Sequence, residues 1–216
     1  GTFVFESHYL QDLLDQCAFD TIYHEHVFYL ALTPLIPVFS RHGFRVVDAE
    51  RLPIHHGQLR VSVRRDSIQG PPSYRVQALL DAEREAGLHT LAPYLRFAEA
   101  ANECRAELRR LVAELGDDGR RIAGYGAPAK ASTLLAFSGL TSKDIPYIVD
   151  LSPLKQGMYM PGSRIPVVPV DRIREDRPDY LVVLAWNFAD EIKSQLSWYR
   201  DSGGRFIIPV PMPRIE

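Results

Sequence analysis

Tyr23-His24-Glu25-His26 sets a phenol, two imidazoles and a carboxylate in consecutive positions, bracketed by apolar Phe19, Ile22, Val27 and Phe28. Histidine changes charge near neutral pH and is the commonest general base, a neighbouring carboxylate can orient it, and a tyrosine hydroxyl can hydrogen-bond a developing oxyanion. The run therefore has the parts for proton abstraction beside a group that takes up negative charge. Its geometry depends on the backbone. In a strand, the two-residue period puts His24 and His26 on one face and Tyr23 and Glu25 on the other. In a loop all four can converge on one cavity. The competing interpretation is a polar network where a strand passes under a helix, since perturbed titratable groups occur in structural networks as well as in sites.

Further groups follow downstream. Gly124-Tyr125-Gly126 lies between a predicted strand and helix, where backbone amides and a helix N-terminus can face a phosphate or carboxylate, and Lys130 adds a cation beside it. Asp150 ends the next strand, where dinucleotide folds place a ribose-binding acid, but Ala129 replaces the third glycine of that fingerprint. A tight turn that any α/β unit needs accounts for the glycines equally well. The loop from Asp150 to Gly162 offers Lys155, Gln156 and Tyr159 as its polar reach, and Trp186-Asn187 follows another strand at the same rim. His55-His56 and His24/His26 are pairs that could ligate a metal. No cysteine lies near them and no carboxylate is spaced to complete a set, so no metal site is predicted. His8, His42 and His89 stand alone and read as surface or capping residues.

The elements that must position these groups change character along the chain. Thr2 to Glu6 alternates as a strand, Tyr9 to Gln16 has helical spacing, and Leu30 to Arg41 predicts a helix that starts late or kinks because of Pro34 and Pro37. Phe44 to Leu52 and Leu59 to Arg65 read as an antiparallel edge pair with one wet face. Asp66 to Ser73 is a breaker-rich linker, and helices over Tyr74 to Ala86 and Leu91 to Leu115 follow. From Arg121 onward, short apolar strands (121–124, 145–150, 165–170, 180–185 and 205–210) alternate with helices (131–137 and 190–199), which implies a mostly parallel, doubly covered sheet.

Composition narrows the function classes. A chain of 216 residues that is 46% hydrophobic supports a full core, and a net charge of −2 gives no basic field for nucleic acid or an anionic membrane. A small-molecule partner is predicted instead. Cys17 and Cys104 lack any paired spacing, no apolar run approaches a membrane span, and the N-terminus lacks a signal sequence, all of which predict a cytoplasmic protein. The chain opens without Met on a strand-like run, so preceding elements in a longer protein are expected.

Taken together, Thr21-Ile22-Tyr23-His24-Glu25-His26, Ile54-His55-His56-Gly57-Gln58-Leu59-Arg60, Gly124-Tyr125-Gly126-Ala127-Pro128-Ala129-Lys130 and Val149 to Gly157 with Pro161-Gly162 resemble the C-methyltransferases of deoxysugar biosynthesis. These enzymes transfer a methyl from S-adenosylmethionine to a carbon of a nucleotide-linked ketosugar. The resemblance implies an α/β chain: residues 1–66 form the C-terminal part of a methyltransferase fold (strand, helix, antiparallel hairpin), and residues 74–216, beginning with helices, form a Rossmann-like domain. Nothing here matches the family's zinc module or its glycine-rich adenosylmethionine loop, so the cofactor-binding half is expected elsewhere and the chain is expected to be inactive alone. That half, or another copy, is expected to cover exposed sheet edges. His26 is the implied base, Tyr23 and Glu25 orient it and the sugar, and His24 and His55 line the pocket. Gly124, Gly126, Lys130, Lys155, Gln156, Tyr159 and Asn187 are expected on the substrate side. His56 and Gln58 depart from the family's usual Gly and Ser. Two other classes stay open: a non-catalytic nucleotide-sugar module, and an NAD-dependent oxidoreductase on the glycine turn.

Overall fold

Period-2 burial and a helix capped from a distance organise the first part of the molecule. The computed structural model describes residues 1–54, 57–67 and 70–216. Its contacts divide into two units: residues 1–18 with 24–99, and residues 19–23 with 100–216. The first contains β1 (Phe3–His8), α1 (Leu10–Asp15), α2 (Leu32–Arg41), β2 (Phe44–Leu52), β3 (Gln58–Arg65) and α3 (Tyr74–Glu85). Strand order is β1-β3-β2, antiparallel throughout. The predicted edge pair is thus corrected, because β1 lies on the far side of β3 and makes it the central strand. Leu59, Val61 and Val63 are fully buried against Tyr9, Leu32, Leu35, Val46 and Val76. On the opposite face Arg60 pairs across the strands with Glu6 (2.7 Å) and Glu50 (3.5 Å), contacts worth about 0–1 kcal/mol each at this exposure.

α2 does start late, at Leu32, with Pro34 in its first turn where a missing N–H is harmless. Its N-cap, Ala31, has no side chain to offer. Glu83 of α3 supplies the cap: buried to 1% exposure, its carboxylate accepts the Leu32 N–H (2.6 Å), the Thr33 N–H (2.8 Å) and the Tyr9 hydroxyl (3.1 Å). α3 also packs on β2 through Arg75 and Ser73, both bonded to Asp48, whose carboxyl the Arg75 guanidinium holds below the usual carboxylate range. Residues 74–99 therefore pack with the first unit, beyond the boundary read near residue 66.

α4 (Ala92–Asp117) runs from the first unit's residues into the second's. The second then alternates β4 (Ile122–Tyr125), α5 (Ala129–Ser138), β5 (Ile148–Val149), β6 (Val167–Val168), α6 (Arg172–Asp176), β7 (Tyr180–Val183), α7 (Ala189–Gln195), α8 (Ser197–Asp201), β8 (Arg205–Ile208) and β9 (Arg214–Ile215). The order β6-β5-β4-β7-β8-β9 is parallel except for β9. Its central strands are continuous buried runs such as Leu181-Val182-Val183, as a sheet covered on both faces requires. The chain moves outward from β4 through β5 to β6 and then returns to β7 on the other side, so the topological switch point lies at the C-terminal ends of β4 and β7. Three details differ from expectation. The predicted helix over 190–199 is interrupted at Leu196, α6 lies in a stretch to which no element was assigned, and β9 adds an antiparallel edge.

Candidate functional site

After a 3₁₀ turn at Phe19–Thr21, the chain from Ile22 to Tyr29 is neither helix nor strand. The loop form of the signature is realised, and the alternating faces of a strand are not. His24 and Glu25 are exposed, while Tyr23 and His26 are half-buried. Tyr23 belongs to the second unit and His24-Glu25-His26 to the first. The His26 ring lies 4.4 Å from that of His8 and 6.3 Å, edge-on, from that of Tyr29. His8 is therefore no isolated surface residue, a correction with a clear cause. The Leu10 N–H donates to the Leu30 carbonyl (2.9 Å) and Tyr9 bridges Leu30, which pins the end of the loop beside the end of β1. Phe28 and Val27, between the rings, point outward at 76% and 74% exposure.

Across β1, His8 pairs with Gln58, a buried residue at which the sequence departs from the family pattern. Just before it Gly57 adopts φ +104°, and a Cβ there would stand 2.0 Å from Asp12 Oδ2. Asp12 is buried, and both of its oxygens accept from Arg51 Nε at 3.0 Å, so this turn tolerates only glycine. The expected pocket residue His55, like His56, lies outside the described residues.

In the second unit the glycine turn is structured by its own surroundings. A Cβ on Gly124 would meet Ile148 Cγ1 at 2.6 Å, and one on Gly126 (φ +85°) would meet Ala185 Cβ at 2.8 Å, at the switch point itself. Asp150 Oδ2 accepts the Ala127 N–H (2.6 Å) and Oδ1 the Ser152 N–H (2.8 Å). Lys155 Nζ donates to the Ala127 carbonyl (2.9 Å) and stands 3.5 Å from Asp150, while Gln156 Nε2 donates to the Asp150 carbonyl (2.9 Å). The polar groups expected to reach for a ligand thus hold the turn and the loop to each other. Tyr159 is exposed beside Met158, and Asn187 is half-buried in a 3₁₀ turn.

Lys130 faces inward. Its Nζ stands 3.7 Å from Asp20 Oδ2 and 3.8 Å from the centre of the Trp186 ring, while Trp186 Nε1 donates to the same oxygen (2.5 Å). Asp20 has 0% exposure and Lys130 9%. Burial pushes the Asp20 carboxyl above its ordinary value against the pull of Lys130. It also pushes the Lys130 ammonium down to about 8 against the opposing charge of Asp20. Asp20 was not singled out in the sequence, where one aspartate before a histidine-rich run carries no spacing signal.

The structure thus joins His26 to His8 and Tyr29, Lys155 and Gln156 to the Asp150 turn, and Lys130 to Asp20 and Trp186. It leaves Gly124 inside the sheet. Among the described residues no group of three or more His, Cys, Asp or Glu side chains converges as a metal site would need, and no helix is long and apolar enough to cross a membrane.

Sequence comparison adds the decisive observation. The family described as the C-methyltransferase C-terminal domain matches residues 53–211. The chain is also 40% identical, over 215 residues and its full length, to C-methyltransferase NovU of Streptomyces niveus. The chain belongs to the C-methyltransferase family. It spans about half the length of that relative, 51%. The mixed α/β architecture, an antiparallel sheet followed by a mostly parallel one, is consistent with the C-terminal portion of such a C-methyltransferase.

Proposed function

We propose that the chain is the substrate-side part of an S-adenosylmethionine-dependent C-methyltransferase whose acceptor is a nucleotide-linked ketosugar. In this reading His26 removes the proton α to the ketone, and Tyr23 and Glu25 orient the base and the acceptor while the enolate forms. His24 and His55 complete the acceptor side. The carrying observation is the presentation of Tyr23-His24-Glu25-His26 on a non-regular loop, with the His26 ring 4.4 Å from that of His8 and tilted against it, in a chain of this family.

Adenosylmethionine would supply the electrophilic methyl, but the residues of this chain do not fit it. The Gly124-Tyr125-Gly126 turn is closed by Ala185, and its Ala127 N–H is spent on Asp150. The cofactor therefore belongs to other parts of the intact enzyme, and the chain alone is inactive. The same contacts argue against NAD at this turn, because Asp150 is bonded to Ala127 and Ser152 where a ribose would need it. Edge strand β1 has an unpaired side and exposes Phe3 (59%) and Val4 (51%), an edge that the cofactor-binding half or a second copy would cover.

His26→Asn in the intact enzyme tests the base. Methyl transfer to a thymidine-linked ketosugar and acceptor α-proton exchange in D₂O should both fall about 10²- to 10⁴-fold with the fold retained. Wild-type rates in that variant reject His26. Tight binding of NAD, with no binding of nucleotide sugar, rejects the methyltransferase reading for the second unit.

A further inference from the structure

The switch point of an open α/β sheet is where a ligand normally enters, yet here the protein's own chain occupies it. Residues 19–23 lie against α5: the Phe19 ring stands 5.2 Å from that of Phe137, and Thr133 Oγ1 donates to the Ile22 carbonyl (3.5 Å). The Asp20 carboxylate sits between the Trp186 indole N–H and the Lys130 ammonium. We propose that Asp20, Lys130 and Trp186 form an anchor that fixes residues 19–23 and so positions Tyr23, the signature residue of their own unit, which makes them positioning residues for methyl transfer. This rests on the reading of His26 as the base.

Three observations carry the inference. Tyr23 follows Asp20 by three residues and belongs to the same unit, so fixing Asp20 confines the Tyr23 Cα to within about 11 Å, the reach of an extended chain. The turn is held by a charge pair where an apolar trio would bury it at lower cost in any register. A carboxylate that must meet both an indole N–H and an ammonium admits one arrangement. The members also depend on each other. Among the described residues Lys130 Nζ and Asp20 Oδ1 have no hydrogen-bond partner, so the loss of either strands a buried charge in the other. A displacement of about 1 Å at a reacting group can cost about 100-fold in rate, so a firm hold here matters to chemistry as well as to folding.

The test compares Asp20→Asn, Lys130→Met, the double variant and Trp186→Phe in the intact enzyme, by amide hydrogen exchange and steady-state methyl transfer. Asp20→Asn and Lys130→Met should each speed exchange in peptides covering residues 19–23, leave those covering β4 and β7 unchanged, and lower kcat about 10- to 100-fold with acceptor KM within about two-fold. The double variant, which removes both charges, should recover part of kcat. Trp186→Phe, which deletes the donor and trims the buried ring but keeps both charges, should lose less in the same direction and serves if a charge variant fails to fold. An unchanged kcat in folded Asp20→Asn overturns the proposal, as does loosening spread over the whole sheet with kcat per folded molecule intact. His26→Asn separates the two ideas: wild-type turnover there removes the base, while local exchange at residues 19–23 still reports on the anchor.

Discussion

At the scale of residues, the density of titratable groups in Tyr23-His24-Glu25-His26 was enough to mark the signature, because four proton-handling side chains in a row are hard to explain by packing. Their neighbours were not legible. His8 meets His26 only because the Tyr9–Leu30 bridge draws the loop to the end of β1, a tertiary event that no spacing encodes. On the proposed role of His26, His8→Ala in the intact enzyme should free the His26 ring and lower kcat by about three- to ten-fold, less than His26→Asn, as measured by methyl transfer. The Lys130 charge makes a separate prediction about stability. Its ordinary value is 10.5 and its folded value about 8, so between these the unfolded chain holds more protons and stability rises with pH. Denaturant midpoints should climb from pH 8 to pH 10 in the wild type relative to Lys130→Met, and a parallel course in the two proteins refutes the shift.

Elements were read more accurately than their relations. Alternation in Leu59, Val61 and Val63 identified a strand with one buried face, but a strand flanked on both sides carries the same alternation as one at an edge, so β3 was misplaced. Short β5 and β6 lie within longer apolar runs because only two residues of each form the ladder. The cap on α2 was invisible for a different reason: Glu83 is fifty residues away in sequence and looks like an ordinary member of a charged helix. Glu83→Ala should destabilise the protein by about 1–3 kcal/mol, since it leaves the Leu32 and Thr33 N–H groups and the Tyr9 hydroxyl without their buried acceptor. Chemical denaturation checks this, and Glu83→Gln, which keeps an acceptor, should lose less. Gly126→Ala should cost a similar amount through its positive φ and the approach to Ala185.

For the molecule as a whole, the family and the fold class could be read from four motifs spread along the chain, and comparison bears both out. The division into units could not be read from composition. The breaker-rich stretch at 66–73 looks like a boundary, yet α3 beyond it packs on β2, and a segment of five residues from near the N-terminus joins the second unit. Local composition records where the chain is irregular, whereas the units are defined by which surfaces meet.

That short segment also makes the two units inseparable by a single cut. The chain passes between them at 18/19, 23/24 and 99/100. A polypeptide made from residue 100 onward contains every strand of the parallel sheet but lacks Asp20, and so carries Lys130 without its counter-charge and the Trp186 indole without its acceptor. Such a piece should be markedly less stable than the same unit in the whole chain, and a peptide of residues 19–23 supplied in trans should bind it and raise its melting temperature. The second unit is in this sense a receptor already loaded with its own ligand, delivered covalently from the other end of the sequence.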